Sequence, residues 1–330
     1  MRKNRKMKKV IMYYKNIPII NKYIDLSEEQ EKILNKIQKN NEINIEIVVY
    51  NKKNEIRIYA DDYLDVEYLI NNFDCIKMLE IENEKIWNCV NMLVSLSDNI
   101  NFFVDEVSPK YACMNFSEVI AKRNLMDLDG FMNNLDTNKL FCFFALRDVI
   151  ENLKVYLYLI RGEKVEKNIN GEEVNITFEY IDDKERVKKI KRLDGEEKMN
   201  FNMKQILKNL SSISFLEKEL LEIEKINNEC NDYIHKNGYD KMNVKYLKTK
   251  NIEYMKEQMI YVIKVFFMVV VCCDGKSITS SDYVDCLDND IEPVKDSQYW
   301  VAPIFQNFID KMLTKKEKQN IIDNSYMEIK

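Results

Sequence analysis

The sequence predicts a mainly α-helical protein: a helical bundle with a small amino-terminal α+β lobe and an inserted β-hairpin. Its 330 residues include only six glycines and four prolines, too few for the frequent turns of an all-β chain. Apolar residues recur at three- and four-residue spacing over long stretches, which is the pattern of amphipathic helices. Strict alternation of apolar and polar residues is confined to short stretches within residues 43–59 and 174–180. Helices should therefore dominate the fold, with small β elements beside them.

Residues 1–80 are predicted to form the α+β lobe. Ser27 followed three residues later by Gln30 is a capping box, which indicates a helix that continues to about residue 39. Residues 43–50 and 55–59 alternate on either side of a polar turn, so they are predicted to be the strands of a hairpin.

The amino terminus is strongly basic, with six basic side chains within Met1–Lys9. We expect this stretch to be a frayed, solvated tail, because chain ends without apolar anchors are poorly ordered. The alternative is a basic arm that contacts RNA or another phosphate surface.

Residues 81–330 are predicted to form the helical bundle. Helices are expected over residues 84–97, 116–128, 206–237, 251–273 and 304–313. A further helix is expected to start at about residue 131 or 138 and to end at residue 161. Residues 163–200 change to a β pattern around Asn170-Gly171, a strong hairpin turn signal, and are predicted to be a β-insertion in the bundle. The charged segment from Thr314 onward is expected to be frayed.

The composition excludes several classes of function. The formal net charge of −5 argues against a protein that simply coats nucleic acid. The chain has one histidine and eight cysteines without a CxxC spacing, so no metal site and no cofactor are predicted. The cysteines are interpreted as reduced thiols of a cytoplasmic protein. The chain contains no GxGxxG, GxxxxGK[ST], GxSxG or HExxH motif.

A membrane span is not expected. The most hydrophobic stretch, Met259–Cys273, has 15 residues and is interrupted by Lys264. A helix that crosses a bilayer needs about 20 apolar residues, and a lysine inside it is costly.

The single histidine lies near the end of the predicted helix 206–237. Glu224, Asn228, Asn231 and His235 follow one another at steps of four, three and four residues, so they share one helix face. Gly238 supplies the left-handed stop expected just past such a helix. This polar face is the one constellation in the sequence that indicates chemistry.

The segment Cys230–His235 resembles the active-site signature of the HEPN superfamily, helical bundles found in bacterial toxins and abortive-infection systems. In that signature an arginine is followed by a polar residue, three variable positions and a histidine. His235 matches the catalytic histidine and Asn231 the polar residue, whereas Cys230 stands where the arginine belongs. The resemblance implies a toxin–antitoxin or phage-defence protein that acts on or binds RNA. Such a protein would be either a ribonuclease or a degenerate relative of one.

The resemblance also implies roles for individual residues. The His235 imidazole would move protons at a ribose 2′-hydroxyl without a metal, and Asn231 would orient the imidazole or the phosphate. A thiol cannot hold a phosphate as a guanidinium does, so Arg147 or an arginine of a dimer-related copy is expected to supply the positive charge. Glu224 and Asn228 are the further candidates for substrate binding.

Two other interpretations stay open. A histidine and a lysine in the last turn of a helix also complement its dipole without doing any chemistry. The alternative function is a non-enzymatic scaffold or partner-binding module, in which apolar helices and the acidic segment 282–296 face another protein or a second copy of the chain.

Overall fold

The computed structural model describes most of the chain, in ranges separated by gaps. The described residues are 8–14, 17–24, 28–40, 44–50, 53–60, 74–97, 116–160, 166–167, 173–174, 176–181, 186–192, 211–243, 251–280, 286 and 289–330. They include parts of the predicted lobe, the bundle and the β-insertion.

Helices make up most of the described residues. The strands are β1 Lys8–Tyr14, β2 Ile17–Ile24, β3 Asn44–Tyr50, β4 Lys53–Ala60, β5 Glu166–Lys167, β6 Glu173–Val174, β7 Ile176–Ile181 and β8 Arg186–Arg192. The α-helices are α1 Glu28–Asn40, α2 Asp74–Ser97, α3 Phe116–Asn134, α4 Lys139–Ile160, α5 Glu217–Ile234, α6 Tyr239–Met242, α7 Ile252–Cys273, α8 Pro303–Met312 and α9 Lys315–Asn324. The predicted fold class, α-rich with a small amino-terminal α+β lobe, is confirmed.

The amino-terminal lobe is built on a four-stranded sheet in the order β2-β1-β4-β3. The predicted hairpin is present as the antiparallel pair β3–β4. The sequence analysis missed β1 and β2, which pair antiparallel with each other, while β1 also runs parallel to β4. Lys8 and Lys9 therefore belong to a strand, and the expectation of a frayed tail up to Lys9 was wrong for them. Residues 1–7 lie outside the described residues.

The sheet packs directly against the bundle. Tyr14 at the end of β1 makes an edge-to-face contact with Trp87 of α2, with ring centroids 4.9 Å apart. The buried residues of the lobe and the bundle form one hydrophobic core. The predicted boundary between residues 80 and 81 falls inside α2, which contacts both parts.

The hydrophobic helix α7 is a central element of the bundle. Phe266 contacts Tyr156 of α4 edge-to-face at 5.3 Å, and Phe267 contacts Phe308 of α8 at 4.8 Å. Lys264, which interrupts the apolar run, forms an ion pair of 2.7 Å with Glu317 of α9. Among the described helices, none combines the length and apolarity that a bilayer crossing requires.

The carboxyl-terminal region is ordered helix rather than a frayed end. Thr314 caps α9 through a complete capping box with Glu317, and Ile321 is fully buried. The expectation of fraying from Thr314 was wrong because this cap and the ion pair with Lys264 hold the helix on the core.

Three other helices have boundaries that differ from the prediction. The helix expected from residue 84 begins at Asp74. The helix expected at residues 116–128 continues to Asn134, and α4 then starts at Lys139, close to the predicted alternative at residue 138. The helix predicted from residue 206 is a 3-10 segment at Ser211–Leu216, with a kink at Ile213, and becomes α-helical only at Glu217. Residues 201–210 lie outside the described residues.

The predicted β-insertion is present between α4 and α5. β5 pairs antiparallel with β6, and β7 pairs antiparallel with β8. The predicted turn at Asn170-Gly171 lies outside the described residues.

Candidate functional site

The candidate site lies where α5 ends. His235 is the residue that closes the helix, and its backbone N–H donates to the carbonyl of Asn231 at 2.8 Å. Lys236 then adopts a left-handed conformation with φ of 58°, and Asn237 N–H donates to the Asp232 carbonyl at 2.9 Å. Gly238 also has a positive φ, 106°, but the left-handed residue next to the helix is Lys236, not the predicted Gly238.

The His235 side chain is exposed to solvent. Within the described part of the chain its ring has no hydrogen-bond or ion-pair partner. An imidazole in this setting is open to an incoming molecule, and it lies at the negative end of the α5 dipole.

Helix α4 runs antiparallel to α5, and two contacts define how the two helices align. Phe143 stacks on Tyr233 with ring centroids 4.2 Å apart, and the ammonium of Lys241 lies 4.6 Å from the centre of the Tyr233 ring. At the other end, Lys154 Nζ lies 3.2 Å from Glu224 Oε2. These contacts place the middle of α4 opposite residues 227–231.

Arg147 is the cation of α4 that faces this part of α5. It is partly buried, and its Nε–H has no hydrogen-bond acceptor among the described residues. Burial raises the pKa of the Cys230 thiol to about 12; Glu229 adds to this effect, and the positive charge of Arg147 opposes it. The guanidinium of Arg147 therefore lies within electrostatic range of the position where the resemblance lacks its arginine.

Cys230 itself is not a nucleophile. Its side chain is fully buried, and the raised pKa keeps it a neutral thiol at physiological pH. Its role is that of a small apolar residue in the α4–α5 contact.

The other predicted residues have different surroundings. Asn231 is partly buried, and its Oδ1 has no hydrogen-bond donor in the described part of the chain. Asn228 is exposed on the same side of α5. Glu224 forms an ion pair with Lys154, which also lies 3.3 Å from Glu151 Oε1, so this carboxylate helps to join α4 to α5.

The sequence analysis overlooked two polar residues of this interface. Lys154 has only 3% of its surface exposed and lies between the two carboxylates just described. Asn227 is 4% exposed, and its Oδ1 has no donor among the described residues. The lysine inside the apolar run of α4 could have predicted this ion pair from the sequence, because a buried ammonium needs acidic partners.

Other kinds of site find less support in the described residues. They contain no group of three or more histidine, cysteine or carboxylate side chains placed to hold a metal ion. Two open clefts, of about 440 and 410 Å³, lie elsewhere in the bundle, and His235 lines neither of them. Arg147 lines the smaller cleft, between α3 and α4.

No protein family, curated protein or solved structure matches the chain at a significant level. The function of the α4–α5 site therefore has to be argued from its own geometry and chemistry.

Proposed function

We propose that the protein binds and cleaves RNA at the carboxyl end of α5, as a HEPN-like ribonuclease of the toxin or phage-defence kind. The proposal rests on one observation: Arg147 lies on α4 between Phe143, which stacks on Tyr233, and Lys154, which pairs with Glu224, so it is opposite the part of α5 where the resemblance lacks its arginine. A guanidinium is suited to a phosphate, since it donates two parallel hydrogen bonds to an oxyanion.

The proposed chemistry needs one base and one cation. The neutral imidazole of His235 takes the proton of a ribose 2′-hydroxyl as that oxygen attacks the adjacent phosphorus. The bond from phosphorus to the 5′-oxygen breaks, and the leaving oxygen takes its proton from the imidazolium or from water. Arg147 stabilises the negative charge on the phosphoryl oxygens, and the Asn231 amide orients the phosphate. The products are a 2′,3′-cyclic phosphate and a 5′-hydroxyl.

The direct test is cleavage of a labelled single-stranded RNA by the purified full-length protein in the presence of EDTA. We expect His235→Ala to lower the cleavage rate at least about 100-fold, because it removes the general base. Arg147→Ala should have a similar effect. Arg147→Lys should be only partly active, because an ammonium cannot make the paired hydrogen bonds of a guanidinium.

Lys225→Ala is the matched control, since Lys225 lies on the exposed side of α5 and, among the described residues, pairs with Glu222 alone. It should cleave at the wild-type rate. In bacteria, expression of the wild-type chain should arrest growth with breakdown of RNA, and His235→Ala should abolish both effects. RNA that stays intact with the wild-type protein, or cleavage that survives His235→Ala, would contradict the proposal.

A further inference from the structure

The amino-terminal sheet has a buried face and a partly exposed face. Val10, Met12 and Tyr14 of β1 are almost fully buried and belong to the core that the lobe shares with the bundle. Side chains alternate along a strand, so the residues between these three belong to the other face of the sheet. In the two central strands that face consists of residues directly opposite one another in the parallel register, and we call it the outer face: Lys9, Ile11 and Tyr13 of β1, with Glu55, Arg57 and Tyr59 of β4.

The exposed part of the outer face is aromatic and charged. Ile11, the one aliphatic residue of the six, is only 5% exposed. The side chains of Lys9 and Arg57 are 32% and 34% exposed, and both tyrosines are partly exposed. The centre of a protein–protein interface is depleted of lysine and glutamate, whereas here both lie beside the arginine. This composition therefore does not favour a protein partner.

Tyr13 and Tyr59 form an aromatic pair on the outer face. Their rings are stacked, with centroids 5.0 Å apart and an angle of 10° between the planes. Each ring uses one of its sides for the other tyrosine, so a further flat ring can extend the stack beyond Tyr59. There the opposite residue in the register is Asn44 of β3, which is exposed and whose amide can both donate to and accept from the edge of a base. Stacking on aromatic side chains is a common way to bind unpaired bases.

A single carboxylate orients the two cations of the outer face. Glu55 is 5% exposed; Arg57 Nε donates to its Oε1 at 2.8 Å, and Lys9 Nζ lies 3.4 Å from its Oε2. Two cations share one negative charge, so this group has a net positive charge.

The surrounding sequence is basic as well. Residues 1–60, which end with β4, contain 14 lysines and arginines and seven aspartates and glutamates, although the formal net charge of the whole chain is −5. Acids of the sheet such as Glu46 and Glu55 are included in this count and are outnumbered two to one. A basic region within an acidic chain indicates a nucleic-acid partner.

We propose that the outer face binds single-stranded RNA, with an unpaired base stacked on Tyr59 and neighbouring phosphates held by Lys9 and Arg57. A duplex is a poor ligand for this face, because its bases already stack on one another. A second copy of the chain would bring two basic faces together, which is unfavourable. The inference rests on the proposed function only for the choice of RNA over DNA, since the outer face does no chemistry.

The test measures RNA binding in full-length protein that carries His235→Ala, so that the RNA is not consumed. The probe is a fluorescein-labelled oligouridine of ~12 nucleotides, within the usual size of a single-strand site. We expect Tyr59→Leu to weaken binding about tenfold in fluorescence anisotropy, because leucine keeps apolar bulk but cannot stack. Tyr59→Phe should bind like the parent protein, since stacking needs the ring and not the hydroxyl.

Two further comparisons separate stacking from charge. Tyr59→Leu should leave the affinity for duplex RNA of the same length unchanged. Lys9→Gln should lower the slope of log affinity against log salt concentration by about 0.7, which corresponds to the loss of one phosphate contact. Tyr326→Leu is the matched control, because Tyr326 is 93% exposed and lies beyond α9, and it should bind RNA like the parent protein.

A second measurement needs no substitution in the sheet, so it does not depend on how well a variant folds. RNA that contains 5-iodouridine forms a crosslink on irradiation with an aromatic side chain stacked on its base. We expect mass spectrometry of the digested wild-type protein to locate this crosslink at Tyr59 or Tyr13.

Four results would overturn the inference. They are failure of the parent protein to bind the oligouridine, binding that Tyr59→Leu leaves unchanged, crosslinks confined to residues outside the outer face, and tighter binding of DNA than of RNA of the same sequence. Binding that depends on Tyr59 in a protein that cleaves no RNA would support the inference and contradict the proposed function. Cleavage that depends on His235, with binding that does not depend on Tyr59, would do the reverse.

Discussion

Two neighbouring carboxyl groups, those of Asp127 in α3 and Asp148 in α4, make the stability of the protein depend on pH near neutrality. Asp127 accepts a hydrogen bond of 2.9 Å from Asn152, and it lies beside the carboxylate of Asp148. Burial and this neighbouring charge raise the pKa of Asp127 from 3.8 to about 7. Two carboxylates in contact cannot both ionise without cost, so they share a proton at lower pH.

The sign of the effect follows from proton binding. The folded chain holds the Asp127 proton up to about pH 7, whereas the unfolded chain releases it near pH 4, so stability falls as pH rises between these values. At 1.36 kcal/mol per pKa unit, the full shift corresponds to about 4 kcal/mol. The cleft is open to solvent, which screens the interaction, and we expect about 2 kcal/mol.

Asp127→Asn should remove this dependence. The variant should unfold like the wild type near pH 3, where most Asp127 side chains carry their proton in both states, and should be about 2 kcal/mol more stable at pH 8. Urea unfolding at intervals from about pH 3 to pH 8 measures the difference. Asp323→Asn, on the exposed side of α9, controls for the change in net charge. A difference between variant and wild type that does not change with pH would refute the reasoning.

Three smaller predictions concern single contacts, each measured by urea unfolding. Lys236→Gly should stabilise the protein by about 0.5–1 kcal/mol, because glycine adopts the left-handed conformation at φ 58° without strain; no gain would contradict this. Thr314→Ala should destabilise it by about 1 kcal/mol through loss of the α9 cap, and Thr314→Ser should largely retain the stability. Lys154→Met should cost about 2 kcal/mol, because it leaves Glu151 and Glu224 without their shared cation, and Glu224→Gln in the same chain should recover part of the loss.

Periodicity predicted the long helices because each buries a continuous apolar stripe. Periodicity predicted the structure less well where a few residues determine whether a strand or helix forms. β1 was hidden because its apolar run follows a strongly basic stretch, and its place in the sheet depends on parallel pairing with β4, a contact distant in sequence. α9 was missed because Ile321 is its one fully buried side chain, although the capping box at Thr314 was present in the sequence.

In the candidate site, too, helical spacing predicted some features, whereas others depend on long-range packing. The shared face of Asn228, Asn231 and His235 was predicted from helical spacing alone; Asn228 and Asn231 lie in α5, and His235 is the residue that closes it. The neighbourhood of Arg147 and Cys230 does not follow from spacing, because it depends on how α4 aligns with α5. That alignment is set by long-range contacts, such as the stacking of Phe143 on Tyr233.

The cysteine at position 230 and the position of Arg147 have one physical explanation. Residue 230 is fully buried, and an arginine there would lose its hydration. Arg147 lies at the edge of the same contact and also lines the cleft between α3 and α4, so its stem and Nε are buried while the side chain as a whole is only partly buried. In the proposed site, the cation therefore has to come from α4, and the chemistry at His235 depends on the alignment that Lys154 and the Phe143–Tyr233 stack maintain.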